Sequence, residues 1–199
     1  MRQRPVQDVS ELPTYGFGSV SPIWWGTLAF VALEGTGFAL ATGAYLYLRQ
    51  VNADWPPGVP PPNHWPGTAM LIVLLASLWP NALADRAARD ENLPRVQLWL
   101  VAMSVLGFVA VGIRAWEFMH INIRWDTNAY GSIVWFVLGL HATHLITDLG
   151  DTVVLAALMF TWHAKGKRFS DVSDNAFYWY FVVASWVPLY ALIYGVPRL

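Results

Sequence analysis

The sequence predicts an all-α membrane protein with five transmembrane helices, its N-terminus cytoplasmic and its C-terminus outside. Three observations predict this. Of 199 residues, 56% are hydrophobic and 13% charged, with a mean hydropathy of +0.40, against roughly 25% charged residues in soluble domains. The apolar residues fall into five runs, each near the ~20 residues that a helix needs to cross the hydrocarbon core. Lysine and arginine are shared unevenly between the two sides. Arg2, Arg4, Arg86, Arg89, Arg95, Lys165, Lys167 and Arg168 collect on one side, while Arg49, Arg124 and Arg198 lie on the other and Arg114 sits just inside the third run. Cationic connections stay in the cytoplasm.

In chain order, residues 1–22 are a polar tail, read as an extended segment lying on one membrane face. The tail has no apolar stretch of the signal-peptide kind, so membrane insertion is assigned to the first spanning helix. Residues 23–199 then form one transmembrane domain, with helices at about 23–48, 67–83, 96–118, 131–162 and 176–194. The first helix ends at Arg49. Residues 50–66 are too rich in proline to continue it. Pro80 is placed to kink the second helix, and 85–95 is a short charged turn. A second mixed-charge connection covers 164–174. Trp24, Trp25, Trp55, Trp65, Trp99, Trp116, Trp125 and Trp162 fall near the ends of these segments, as an interfacial aromatic belt does.

Several function classes are excluded or weakened. The chain has no cysteine, which removes disulfides, thiolate catalysis and thiolate-ligated metals. No phosphate-binding glycine loop or nucleophile elbow is present, so no active site of its own is expected. No internal repeat supports an inverted-repeat transporter, and no nucleic-acid partner is expected.

The fourth segment carries the least expected chemistry. His141, His144, Asp148 and Asp151 follow one another at steps of three, four and three, which places them along one stripe of a helix. Ionisable groups in hydrocarbon are costly, so such a stripe faces protein or water. A bis-histidine haem needs ligands on opposite sides of the ring. The remaining histidines, His64, His120 and His163, fall in loops or at helix ends. The spacing HxxHxxxD could chelate a metal, but a catalytic zinc or iron site takes three protein ligands. A hydrogen-bonded stripe against another helix or subunit is the reading preferred here, with a proton path as the alternative.

Two more polar groups lie in spanning segments. Glu34 is near the middle of the first helix, where a carboxyl serves either a proton relay or ligand site or an interhelical hydrogen bond. Gly35, Thr36, Gly37 and Gly43 flank it and suit close helix approach. Arg114 and Glu117 are three apart near the end of the third helix and can pair along its surface. His120 is near enough in sequence to join them.

These residues resemble subunit III of the haem–copper oxidases, the cytochrome c and quinol oxidase group. Glu34, Phe38, Ala44 and Tyr45 fit that family's Glu-xxx-Phe pattern with its following Ala-aromatic pair. Trp116, Glu117 and Phe118 resemble its Glu-aromatic signature. Tyr130, Gly131 and Ser132 followed by Gly139 through His144 resemble its YGS and GFHxxH run, and Phe177 through Val182, with Trp186 and Tyr194, resembles its last helix. Two positions depart: the family's last-helix histidine is Tyr180 here and its aspartate is Val183. Asp148 and Asp151 are additional acids. Five helices correspond to the short bacterial form, without the first two of seven.

The resemblance implies a non-catalytic subunit in the bacterial inner membrane, with no haem, copper or other metal of its own. Haem and copper are expected in the catalytic subunit I, against which the chain packs together with other oxidase subunits. It further implies bound phospholipid in a cleft between helix groups, and support of proton uptake and catalytic lifetime. Glu34 and the His141/His144 face match positions near that cleft. Arg114, Glu117, Asp148 and Asp151 complete the candidate cleft and internal contacts. The alternatives are an accessory subunit of a nitric oxide reductase, a proton-coupled transporter using Glu34 and the helix-four stripe, and a standalone membrane haem protein.

The orientation is testable because the native chain offers no thiol. Glu91→Cys and Thr127→Cys are expected to label oppositely with a membrane-impermeant maleimide, Thr127→Cys in intact cells and Glu91→Cys only after lysis.

Overall fold

The structure, a computed structural model, describes residues 22–162, 164 and 167–198, with the side chain of Lys167 left out. The polar tail before residue 22 and His163 lie outside the described residues. Five helices follow in order: α1 (Pro22–Val51), α2 (His64–Arg89), α3 (Leu93–Met119), α4 (Ala129–Met159) and α5 (Lys167–Tyr190). A π-helical turn, Ala191–Gly195, and a 3-10 turn, Val196–Arg198, extend α5. Each of the five is long and apolar enough to span a membrane, α5 counted with its extension as Arg168–Arg198.

Local sequence sets the helix starts. Asn63, Asn92 and Asn128 each precede a helix and accept a backbone N–H from its first turn, at Trp65 (3.1 Å), Arg95 (3.3 Å) and Gly131 (2.9 Å). Asparagine caps this way because its side-chain oxygen satisfies a donor that has no intrahelical acceptor. Pro66 and Pro94 fall in first turns, where a missing N–H costs nothing. α2 continues through Pro80 as one helix.

The helices α2, α3, α4 and α5 close a ring in which every neighbour is antiparallel, and α1 lies outside it, chiefly against α4 and α5. One end of the bundle, the loop face, carries the proline-rich connection, the α3–α4 connection and the end of α5. The opposite end carries the start of α1. The interior is filled by Tyr45, Met70, Leu74, Tyr130, Leu138, Trp179 and Trp186, among others. A smaller cluster around Val96, Leu100, Met159 and Phe169 closes the opposite end. The outside is apolar as well: Leu33, Leu40, Ile72 and Phe108 are all exposed. Lipid gives no hydrophobic drive to bury them, so packing and polar ties must hold the helices together.

The proline-rich connection is fixed by its neighbours. Asn122 Nδ2 donates to Pro60 O (2.6 Å) and Arg198 Nη2 to Pro62 O (2.6 Å). Trp55, expected in the interfacial belt, is instead turned inward between Tyr45 and Tyr130, donating to the Tyr45 hydroxyl at 3.0 Å. An indole with a buried hydroxyl to bond is better served inside.

Close helix approach occurs away from the glycines flanking Glu34. A Cβ at Gly37 or Gly43 would meet nothing within 4 Å, because both lie on the open side of α1. The tight positions are Gly67, whose missing side chain admits the Tyr194 ring, Gly107, which admits the Leu149 side chain, and Gly131, which faces the carbonyl oxygen of Arg124. Gly131→Ala is therefore expected to lower stability by about 1–3 kcal/mol through overpacking against backbone. Gly37→Ala is expected to be neutral or to gain up to about 1 kcal/mol of helix propensity. Thermal unfolding of the detergent-solubilised protein separates the two.

Candidate functional site

Helix α4 distributes its four ionisable residues over two faces. At about 100° per residue, His141 and Asp148 differ by only about 20°, whereas His144 and Asp151 sit about 60–80° further round. The structure follows that division. His141 and Asp148 point into the ring and are buried at 0% and 1% exposure. His144 turns toward α1, and Asp151 is exposed on the same side. The expected single stripe is thus two half-stripes with different surroundings.

The inward half near the loop face is a closed polar lattice. Arg114 Nη1 pairs with Glu117 on its own helix, and Nη2 donates to His141 Nδ1 at 2.9 Å. The other imidazole nitrogen, Nε2, donates to the carbonyl oxygen of Val182 on α5 at 3.0 Å. Tyr194 donates its hydroxyl to Glu117, and the guanidinium lies 4.1 Å above the centre of the Trp186 ring. The π-helical turn after Pro188 supplies the geometry for Tyr194, since an extra residue in the turn re-aims the side chains that follow. Arg114 and Glu117 retain 3% and 1% side-chain exposure, so the pair is an interior feature and not the surface pair expected. His120 is not part of it. α3 ends at Met119, and His120 lies past the last turn, exposed and bonded to Trp116 O at 2.9 Å.

The outward half joins α1. Glu34 Oε2 accepts the Tyr178 hydroxyl at 2.7 Å, and Oε1 lies 3.3 Å from His144 Nε2. His144 Nδ1 donates to Leu140 O at 2.6 Å, which leaves Nε2 facing the carboxyl. Phe38, one turn from Glu34, packs 4.8 Å from the His144 ring and 6.2 Å from that of His141. The sequence singles out Glu34 and Glu117 but not Tyr178 and Tyr194, their respective partners. The available signal was a tyrosine hydroxyl inside a spanning helix, which needs a hydrogen-bond partner there.

Between α1, α4 and α5 a cleft of about 990 Å³ opens from this joint toward the end where α1 begins. Ile23, Phe30, Val154 and Leu158 give it apolar walls. Glu34 and His144 close its inner end, and Asp151, Asp174 and the Arg168–Asp171 pair (2.9 Å) line the other. Beneath it Asn175 donates to Thr152 Oγ1 at 2.9 Å. Among the described residues no group of three His, Asp or Glu side chains is placed to hold a metal ion. Both His141 nitrogens have protein partners.

A closed ring of antiparallel helices long and apolar enough to span a membrane, with a fifth bordering an acid-lined cleft, defines a polytopic helical membrane protein. The family model for cytochrome c oxidase subunit III matches residues 30–196, and the chain belongs to that family. Similar proteins include the cytochrome c oxidase subunit 3 of Thermostichus vulcanus, 23% identical over 87% of each chain. That of Synechocystis sp. is 25% identical over 85% of this chain and 74% of its own. The probable subunit 3 of Nocardia farcinica is 26% identical over 86% of each. Five spanning helices and this family make the chain a multi-pass bacterial membrane protein.

The lattice predicts an asymmetric mutational response. Arg114→Met alone leaves the Glu117 carboxyl buried without its cation and is expected to cost about 3–5 kcal/mol. Arg114→Met with Glu117→Leu removes both charges and should recover most of that loss. Thermal unfolding of the two variants checks the difference.

Proposed function

We propose that this chain is a non-catalytic subunit III of a proton-pumping haem–copper terminal oxidase. In this reading it packs against the catalytic subunit I, holds phospholipid in the cleft between α1, α4 and α5, and supports proton uptake. The observation that carries the reading is the cleft itself. It has lipid-compatible walls of Ile23, Phe30, Val154 and Leu158, a charged rim at Arg168, Asp171 and Asp174, and a polar stop at Glu34 and His144. Its volume of about 990 Å³ has room for an acyl chain, and the rim sits where head groups lie if α5 begins at the membrane surface. Haem and copper belong, in this reading, to the partner subunit. The bacterial inner membrane is the proposed location, with the N-terminus in the cytoplasm. The proposed site residues are Glu34, Arg114, Glu117, His141, His144, Asp148 and Asp151, the first, fifth and seventh at the cleft and the second to fourth holding the ring together.

The test is purification of the tagged chain in mild detergent, with a reduced-minus-oxidised spectrum, subunit composition and bound phospholipid measured together. Haem bands on a large co-purifying partner, with oxygen consumption, support the reading. Nitric oxide consumption instead would assign the chain to a nitric oxide reductase, and a chain that purifies alone and colourless would favour a transporter. Glu34→Gln is expected to leave the complex assembled but with less retained phospholipid and faster inactivation during turnover. Wild-type lipid content and inactivation kinetics in that variant would refute the role given to Glu34.

A further inference from the structure

Most polar groups inside the ring have partners. Arg114, Glu117 and His141 hold one another, Asn81 Nδ2 donates to Ala176 O at 2.9 Å, and Trp179 Nε1 donates to Ser77 Oγ at 2.8 Å. Asp148 differs. Both of its carboxyl oxygens are sealed from solvent and neither has a hydrogen-bond partner, a condition no other buried carboxyl among the described residues shares. Two cross-links fix its place in the α4–α5 seam. Thr152 is bonded to Asn175 and His141 to Val182 O, so in these antiparallel helices Asp148 lies level with Tyr178.

We propose that Asp148 is a proton-binding site within the α4–α5 seam, its ligand a single proton exchanged with the neighbouring cleft. The charges around it leave few alternatives. On its own helix His144 is directed at Glu34 and Leu140 O, and Asp151 is a second acid. From α5 it faces Tyr178, whose hydroxyl is given to Glu34, and further along Asp174, a third acid with an unpartnered oxygen. From α1 the titratable group is Glu34. α2 has no charged residue before Asp85, and α3 has none between Arg95 and Arg114, which is engaged by Glu117 and His141. Arg168, at the start of α5, is held by Asp171 at 2.9 Å, so none of these described cations balances Asp148.

A metal ion would need additional ligands, and none is grouped there. Oxygens sealed against a water-sized molecule admit a proton and little else. The chemistry is one reversible proton transfer: a hydronium ion in the cleft gives up its proton to the cleft-facing groups, leaving water there, and the proton passed inward converts the carboxylate to the acid, with no electron moved. Asp151, almost one turn along α4 on the cleft wall, and Tyr178, opening on Glu34, are the groups through which exchange runs. The site depends on the seam alone and stands whether or not lipid fills the cleft.

Infrared difference spectroscopy of the purified complex in H2O and D2O tests this directly. The expected result is a carboxylic-acid carbonyl band in the wild type that shifts in D2O and is missing from Asp148→Asn. Asp148→Glu, which retains an acid, should move the band and not remove it, and carries the test where the asparagine variant does not assemble. Loss of a carboxylate stretching pair in Asp148→Asn, or a Glu variant with the wild-type carbonyl region, would overturn the proposal.

Discussion

The guanidinium of Arg114 is the group on which the ring depends. In lipid there is little hydrophobic gain from bringing one apolar helix against another, so association rests on packing and on polar groups that must find partners. Arg114 reaches Glu117 on α3, His141 on α4 and the Trp186 ring on α5, and through Glu117 it also meets Tyr194 beyond the π-helical turn. A single side chain thereby sets the rotation of three helices about their own axes. Once those rotations are fixed, His141 and Asp148 must face inward, and His144 and Asp151 are carried round toward α1.

That rotation also makes the cleft. α1 has little of its surface against the rest of the protein, and its position is set by Glu34 with Tyr178 and His144, by Phe38 between the two imidazoles, and by Tyr45 under Trp55. The first two contacts lie midway along the helix and the third at the loop face. Toward its beginning α1 keeps ring contacts with α5, Trp24 with Phe177 and Phe30 with Tyr178, and the space left between α1, α4 and α5 is the cleft. The proposed lipid seat and the proposed proton site are thus two sides of one wall, the outward and inward faces of α4.

The spanning helices were legible because length and hydropathy decide them, but α2, α3 and α4, capped by Asn63, Asn92 and Asn128, begin at His64, Leu93 and Ala129, ahead of the apolar runs. The identity of the site residues was legible too, since an ionisable group in an apolar run is conspicuous. Their partners were not. Tyr178 lies 144 residues from Glu34 and Tyr194 lies 77 from Glu117, separations at which a sequence pattern carries no distance information. Steps of three and four also look equivalent on paper, yet they accumulate an angle, and over ten residues that angle separated Asp151 from His141. Proximity in sequence misled for His120, where the helix ended first, and small residues misled at Gly37 and Gly43, which suit close approach but have nothing close by.

The arrangement of contacts has a consequence for how the protein is made. Of the five helices α1 leaves the ribosome before the others, and the two that form its seat, α4 and α5, emerge after α2 and α3. The ring from α2 to α5 closes through successive neighbours and one final meeting of its ends, and only then does a binding surface for α1 exist. During synthesis α1 therefore exists before its seat does, and Glu34 has no Tyr178 or His144 to meet it. An apolar helix interrupted by one acid is well suited to that wait: soluble in the membrane, and left with one unsatisfied group that the completed ring alone accommodates.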